Sequence, residues 1–176
     1  KLKRLDNKVP FRTIVLHGLV NDPYGKKMSK SKGNVVNPLE IVDQYGADAV
    51  RFALIYGTAL GNDQIMSYPK LEASKKFTNK LWNIARFMHL NKPVGENKYK
   101  ELSLKELKDL AQSESDKKWI EKTEMLIQEI TKYLDKYQFN LAAERLYEFI
   151  CHEFADIYIE EVKPRINPNS YIILNA

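Results

Sequence analysis

The sequence predicts a mainly α protein: an antiparallel helix bundle preceded by a small α/β connector and one strand of parallel type. Three observations carry this. From Lys70 onward, apolar residues recur at steps of three and four, the spacing of one helix face. Residues 37–56 hold two short helical stretches, punctuated by Gly46 and Gly57. Ahead of them, Ile14-Val15-Leu16 followed by His17-Gly18-Leu19-Val20 is a short apolar run between turn signals, which fits a strand buried on both faces.

In chain order, residues 1–10 are polar and basic, end at Pro10, and read as a connection to something upstream. A lone parallel strand over Phe11–Val20 is not stable without a sheet. No partner strands are foreseen beside it, so the expectation is that its sheet lies elsewhere and that this chain is part of a longer one. Asn21-Asp22-Pro23-Tyr24-Gly25 is turn chemistry. Asn37-Pro38-Leu39-Glu40 is a helix start: Asn37 caps, Pro38 fits the first position, and Glu40 can reach back to the cap. That helix stops at Gly46, and a second runs from Ala47 to about Tyr56. Gln64–Tyr68 reads as a short strand.

The first long helix runs from Lys70 to near Asn91, with Phe77, Leu81, Ile84, Ala85 and Met88 facing inward. Lys76, Lys80, Asn83 and Phe87 form a second stripe beside them, with Asn79, Trp82 and Arg86 further round. Residues 92–112 are mostly loop, with a short helix at 103–111. Trp119–Tyr137 places Ile120, Thr123, Ile127, Ile130, Leu134 and Tyr137 close to a heptad. Asn140 then caps a third long helix with Leu146, Ile150, Phe154 and Ile157 inward, ending before Pro164. Short connections make the three helices antiparallel. Residues 167–176 yield no reading.

No stretch approaches the ~20 apolar residues of a membrane span, and the chain opens on no signal peptide. A single cysteine, Cys151, excludes an internal disulfide and a cysteine-rich zinc site. It sits in an apolar helical run and reads as a buried thiol, and together these features point to the cytoplasm. His17, His89 and His152 share no ligand spacing, so no metal is assigned. The net charge of +5 is unevenly spread: residues 1–33 and 70–100 are strongly basic, the rest acidic. The two separated basic zones fit either a polyanion reaching both or two solvated faces.

The densest basic stretch is Lys26-Lys27-Met28-Ser29-Lys30-Ser31-Lys32-Gly33. Four lysines in eight residues cannot form a buried strand or a stable isolated helix. By residue type they make either a solvated turn or a mobile loop suited to a polyphosphate.

The letters narrow this choice. Lys27-Met28-Ser29-Lys30-Ser31 resembles the KMSKS signature of the class I aminoacyl-tRNA synthetases. His17–Asp22, Gly33–Pro38 and Tyr45–Arg51 extend the resemblance to the valine, isoleucine and leucine branch. Gly57–Asp63, Lys70–Ser74 and Leu146–Phe149 favour the valine-specific group within it. The resemblance implies that residues 1–36 are the C-terminal edge of a Rossmann-like catalytic domain carrying its last strand and the lysine loop. Residues 37–69 would be a stem-contact connector, and residues 70–176 an anticodon-binding bundle. It implies ATP as substrate, accompanied by Mg2+ in the whole enzyme, with Lys27 and Lys30 as catalytic cations. Lys27, Met28, Ser29, Lys30 and Ser31 would line ATP, with Lys26 and Lys32 accessory. It implies valine and a valine-acceptor tRNA as partners, the tRNA held through Lys80, Asn83, Arg86 and Phe87. The residues by themselves leave open that Phe87 is core and Asn83 an incidental surface amide. The second class I signature, His-x-Gly-His, is absent, so the chain is expected to be inactive alone. The rivals are an isoleucine- or leucine-specific relative, a free-standing helical RNA-binding module, and a helical scaffold.

Overall fold

The computed structural model describes residues 11–92 and 102–175. Expectations for residues 1–10 and for the loop at 93–101 fall outside the described residues. The element order is β1 (Val20–Asn21), α1 (Pro38–Tyr45), α2 (Ala47–Ile55), β2 (Gln64–Ile65), α3 (Tyr68–Leu90), α4 (Leu104–Leu110), α5 (Glu114–Asp135) and α6 (Phe139–Glu148). α6 runs on as a π-helix (Phe149–Ile159) into α7 (Glu160–Val162), and α8 (Pro168–Asn175) follows. Among the described residues no helix is long and apolar enough to cross a membrane.

The predicted strand over Phe11–Val20 shrinks to two residues. Ile14 and Leu16 are 81% and 74% exposed, so the run is not buried on both faces. It does have a partner, which the sequence reading did not foresee: β1 pairs in parallel with β2, Val20 opposite Gln64 and Asn21 opposite Ile65. α1 and α2 follow their caps as expected. The Asn37 side chain accepts from the Leu39 amide at 3.1 Å, and Glu40 takes the Asn37 side-chain amide at 2.9 Å. Gly46 ends α1 at φ 91°, ψ 147°, a positive-φ but extended stop that glycine adopts readily. Ile41, Val50, Ala53, Met66 and Leu71 close a small core here.

The bundle has its own core of Leu107, Trp119, Ile120, Leu126, Phe149, Tyr158, Ile159, Val162, Ile173 and Leu174. Several predicted faces are rotated. On α3, Leu81 and Ala85 turn out to solvent, while Ile84 and Phe87 pack against the core. On α5, Leu126 is buried and Ile127 and Leu134 are exposed, because one α-helical face drifts against a strict heptad. α5 also stops two residues before Tyr137. Tyr137 adopts φ 58°, and Gln138 and Tyr137 amides return to the Tyr133 and Leu134 carbonyls, a Schellman end made without glycine. α6 begins at Phe139, so Asn140 lies inside the first turn and is not the cap. Beyond Glu148 the wider π-helix shifts the phase. Tyr158, Ile159 and Val162 turn inward and Ile157 turns outward; Leu146, ahead of the shift on α6, is also exposed.

The last ten residues, unread from sequence, carry α8. Asn167 caps it: its side chain accepts from the Ser170 amide at 3.0 Å, and the Ser170 hydroxyl accepts from the Asn167 amide at 2.9 Å. Between the two cores, aromatic rings form the joint. Phe52 lies 4.6 Å from Phe77, Phe77 5.1 Å from Tyr147, and Tyr56 5.4 Å from Tyr147.

A buried ion pair ties the bundle's ends together. Asp116, 1% exposed, receives Arg165 through both carboxylate oxygens at 2.8 and 3.0 Å and the Tyr158 hydroxyl at 3.1 Å. Burial works against the Asp116 charge, but the Arg165 and Ser113 hydrogen bonds outweigh it and hold the carboxyl below its ordinary range. Asp116→Ala, leaving Arg165 half-orphaned, is expected to cost about 3–5 kcal/mol in urea unfolding. Because the folded carboxyl titrates below the unfolded one, the pair contributes fully above pH ~4 and is lost as pH falls through the folded value. Wild-type urea midpoints should therefore drop below pH ~4 more steeply than those of Asp116→Asn.

Candidate functional site

The lysine stretch forms a closed loop whose base is held by Asp22. This carboxylate is buried at the end of β1. One oxygen accepts from the Tyr24 and Lys26 amides at 3.0 and 2.8 Å, an Asx-type turn. The other accepts the Asn34 side-chain amide at 2.9 Å. Asn34 in turn donates to the Lys27 carbonyl at 3.2 Å and accepts from the Ser29 amide at 2.9 Å. Asp22 and Asn34 thus form a clasp across the two arms of the loop. Hydrogen bonding from Asn34, then from the Lys26 amide, holds the Asp22 carboxyl below its ordinary range.

Inside the clasp, Lys30–Lys32 make one 3-10 turn that starts after Ser29 and ends on Gly33 in the left-handed region, φ 65°. The Ser29 and Ser31 hydroxyls lie 2.7 Å apart. Met28 folds back, its sulfur 3.3 Å from the Val36 amide, and seats the loop on the chain leading into α1. Lys27, Lys30 and Lys32 are exposed, and their ammonium groups have no hydrogen bond or ion pair among the described residues. The loop holds its cations outward, unneutralised, on a fixed backbone.

The same strand end is anchored to the segment before β2. Gly18 approaches the backbone so closely that a Cβ would lie 2.0 Å from the Asn62 carbonyl oxygen. The Asp63 carboxylate accepts from the Leu19 amide at 2.7 Å. Lys70, at the start of α3, donates to Thr58 at 3.3 Å and Gln64 at 3.2 Å, and Gln64 donates to the Leu54 carbonyl at 3.0 Å. Burial lowers the Lys70 pKa. Gly18, Leu19, Thr58, Asn62, Asp63 and Lys70 lie in the His17–Asp22, Gly57–Asp63 and Lys70–Ser74 blocks, and with Gln64 they tie the strand end to the start of α3.

The four residues singled out on α3 divide into two pairs. Asn83 and Arg86 are exposed, with no side-chain hydrogen bond or ion pair among the described residues. Lys80 is engaged: its ammonium donates to the Cys151 carbonyl at 3.0 Å and to Asp156 at 2.9 Å. Phe87 is half-buried against the bundle core, with the Lys163 ammonium 5.6 Å from its ring centre. Cys151 is buried, and burial pushes its thiol pKa up. Among the described residues no three His, Cys, Asp or Glu side chains gather as a metal site.

Sequence reasoning took Asp22 for turn chemistry and passed over Asn34 as a clasp. The usable signal was an Asp set before Pro23 and Gly25, placed to close an Asx turn on the amides that follow it. Opening the clasp should loosen the loop. Asp22→Ala is expected to speed tryptic cleavage after Lys27, Lys30 and Lys32 roughly tenfold or more, the scale of one lost hydrogen bond to a charged group. The same loosening should appear in the wild type as pH falls below ~4, since the charge that the Asn34 amide favours is then removed.

Residues 3–67 match the family of class I tRNA synthetases (I, L, M and V), and residues 116–175 match the anticodon-binding domain of tRNA ligases. α3, with the stripe, lies between the two matched regions. The chain is 43% identical over 167 residues to a valine–tRNA ligase of Dehalococcoides mccartyi strain CBDB1, covering 94% of this chain and 18% of that ligase. It is 44% identical over 160 residues to that of Clostridium acetobutylicum, covering 89% and 17%. The chain therefore spans less than a fifth of the length of these curated relatives. Its fold resembles the LeuRS–tRNA–LeuAMS ternary complex of Agrobacterium radiobacter K84 agnB2, with a TM-score of 0.64 and 22% identity over 90% of this chain and 19% of that one. It also resembles Mycobacterium tuberculosis methionyl-tRNA synthetase in complex with methionyl-adenylate, with a TM-score of 0.54 and 21% identity over 90% and 31%. In sequence the chain is a stretch homologous to valine–tRNA ligases, its first third matching the class I tRNA synthetases and its last third the anticodon-binding domain of tRNA ligases.

Proposed function

We propose that this chain serves a valine–tRNA ligase, supplying the loop that stabilises the leaving pyrophosphate of ATP and the bundle that grips the tRNA anticodon arm. The observation that carries it is the set of exposed, unpaired lysines on a clasped loop in a chain homologous to valine–tRNA ligases. When the valine carboxylate attacks the α-phosphorus, the bond to the bridging oxygen breaks and charge builds on pyrophosphate. Lys27 and Lys30 meet that charge, Lys32 and Lys26 add to the local field, and Met28, Ser29 and Ser31 shape the loop around the nucleotide. The loop offers cations and no carboxylate cluster, so Mg2+ would arrive on the phosphates and not on protein ligands.

On the bundle, the Asn83 amide suits a base edge and the Arg86 guanidinium suits a phosphate or a base plane. Lys80 and Phe87 belong to the same group, and each is tied to the bundle, through Asp156 and Lys163 respectively. The units in this reading are residues 1–36 with the loop, 37–69 as the connector and 70–176 as the bundle. A single thiol, held protonated by burial, suits a reducing compartment, and the cytoplasm is part of the same proposal.

Two measurements test it. In the ligase carrying this stretch, Lys30→Ala should lower valine-dependent ATP–pyrophosphate exchange ~100–1000-fold, leaving tRNA affinity near wild type. Equal exchange rates would remove the loop from the chemistry. Valine-acceptor tRNA should bind this chain more tightly than an anticodon-swapped version at two salt concentrations, and Asn83→Ala or Arg86→Ala should erase the preference. Equal, strongly salt-dependent binding to both tRNAs would reduce the bundle to a basic surface.

A further inference from the structure

We infer that Trp82 is a base-stacking platform on the tRNA-facing side of α3, acting with the Arg86 guanidinium one turn further on. This rests on the anticodon-arm reading above and adds a residue to it. The chain has two tryptophans, and their surroundings are opposite: Trp119 is 5% exposed in the bundle core, whereas Trp82 is 73% exposed. An indole left in water forgoes the large gain of burying its rings, and nothing in the bundle's packing requires it there.

Its neighbours point to the occupant. Asn79, Trp82 and Arg86 follow at steps of three and four, so they share one strip of the helix, with Asn83 beside it. All four are exposed, and Asn83 and Arg86 make no side-chain hydrogen bond or ion pair among the described residues. Lys80 and Phe87, by contrast, are tied to the bundle. α3 carries five Lys and Arg against one acid, Glu72, so the face as a whole attracts polyanions. An aromatic plane, a guanidinium and two amides on a cationic helix are the groups that hold an unpaired base with its phosphate. Stacking needs no particular base and tolerates motion of the strand. The occupant is therefore the unpaired loop of tRNA, with another protein segment as the competing outcome.

The two tryptophans make the test direct. Valine-acceptor and anticodon-swapped tRNA are titrated into wild type, Trp82→Ala and Trp82→Phe, with intrinsic fluorescence and acrylamide quenching read together. Trp119, being buried, is the constant background. Thermal melts should match across the three proteins, since Trp82 supports no core. Supporting results are tRNA-induced quenching that Trp82→Phe abolishes, shielding of Trp82 from acrylamide by tRNA, and binding weakened roughly 10- to 100-fold by Trp82→Ala but largely kept by Trp82→Phe. If Trp82→Ala binds as wild type does while wild type still prefers the native anticodon, the inference fails and the anticodon reading stands. If wild type binds both tRNAs equally, that reading fails and takes this inference with it. If acrylamide does not reach Trp82 in the complete ligase without tRNA, a protein segment covers the indole and the inference is overturned.

Discussion

Like-charge repulsion is the constraint around which the N-terminal half is arranged. Four lysines in eight residues drive a loop apart, and a single carboxylate, Asp22, holds its base. The burial of Asp22 is tolerable because every direction around it supplies a donor: two amides of its own turn and the Asn34 side chain. Asn34 carries the constraint onward, to Ser29 within the loop and to the chain that reaches the α1 cap, Asn37, three residues later. Placement of the strand, the loop and the first connector helix follows from this one group.

α3 carries that order across the molecule. Its first turns put Leu71 into the connector core, its middle puts Phe77 into the aromatic joint, and its last turns lay Ile84 and Phe87 on the bundle core. Lys70 fixes its start to the 57–64 segment, and Lys80 fixes its middle to the π-helix. The lysine loop and the exposed strip on α3 are therefore linked through one continuous helix and three sets of packed side chains. A shift at either end would have to disturb the rings between them.

Most of the architecture was legible in the sequence where local chemistry decides structure. Asn37-Pro38 announced α1, Gly46 and Gly57 ended helices, and a short helix was expected at 103–111, although its Ser103–Glu106 capping box was not singled out. The same Asn-Pro signal at Asn167-Pro168 was equally readable and was passed over, although it opens α8. What could not be read were the non-local terms. A parallel pair of two residues gives no periodicity. The close approach at Gly18 depends on Asn62, and the burial of Asp116 depends on Arg165, 49 residues away. Of the site, the loop lysines were legible by their letters. That Lys80 and Phe87 would be engaged while Asn83, Arg86 and Trp82 stay open was not, since all five share one amphipathic helix.

The π-helix from Phe149 to Ile159 has a consequence for how one helix serves two differently placed partners. Before it, Ala142 and Ala143 are the buried positions, on a segment packed against α5 and α2. At its far end and beyond, Tyr158 and Val162 are buried, with the Tyr158 hydroxyl on Asp116. A straight α-helix would carry both sets on one fixed phase, and a break would expose carbonyls that need new donors. The widened turns change the phase without interrupting the rod, and Lys80 occupies one of the carbonyls they present. In mechanical terms the segment is a crankshaft: one axis, two throws, and no joint between them that has to be sealed.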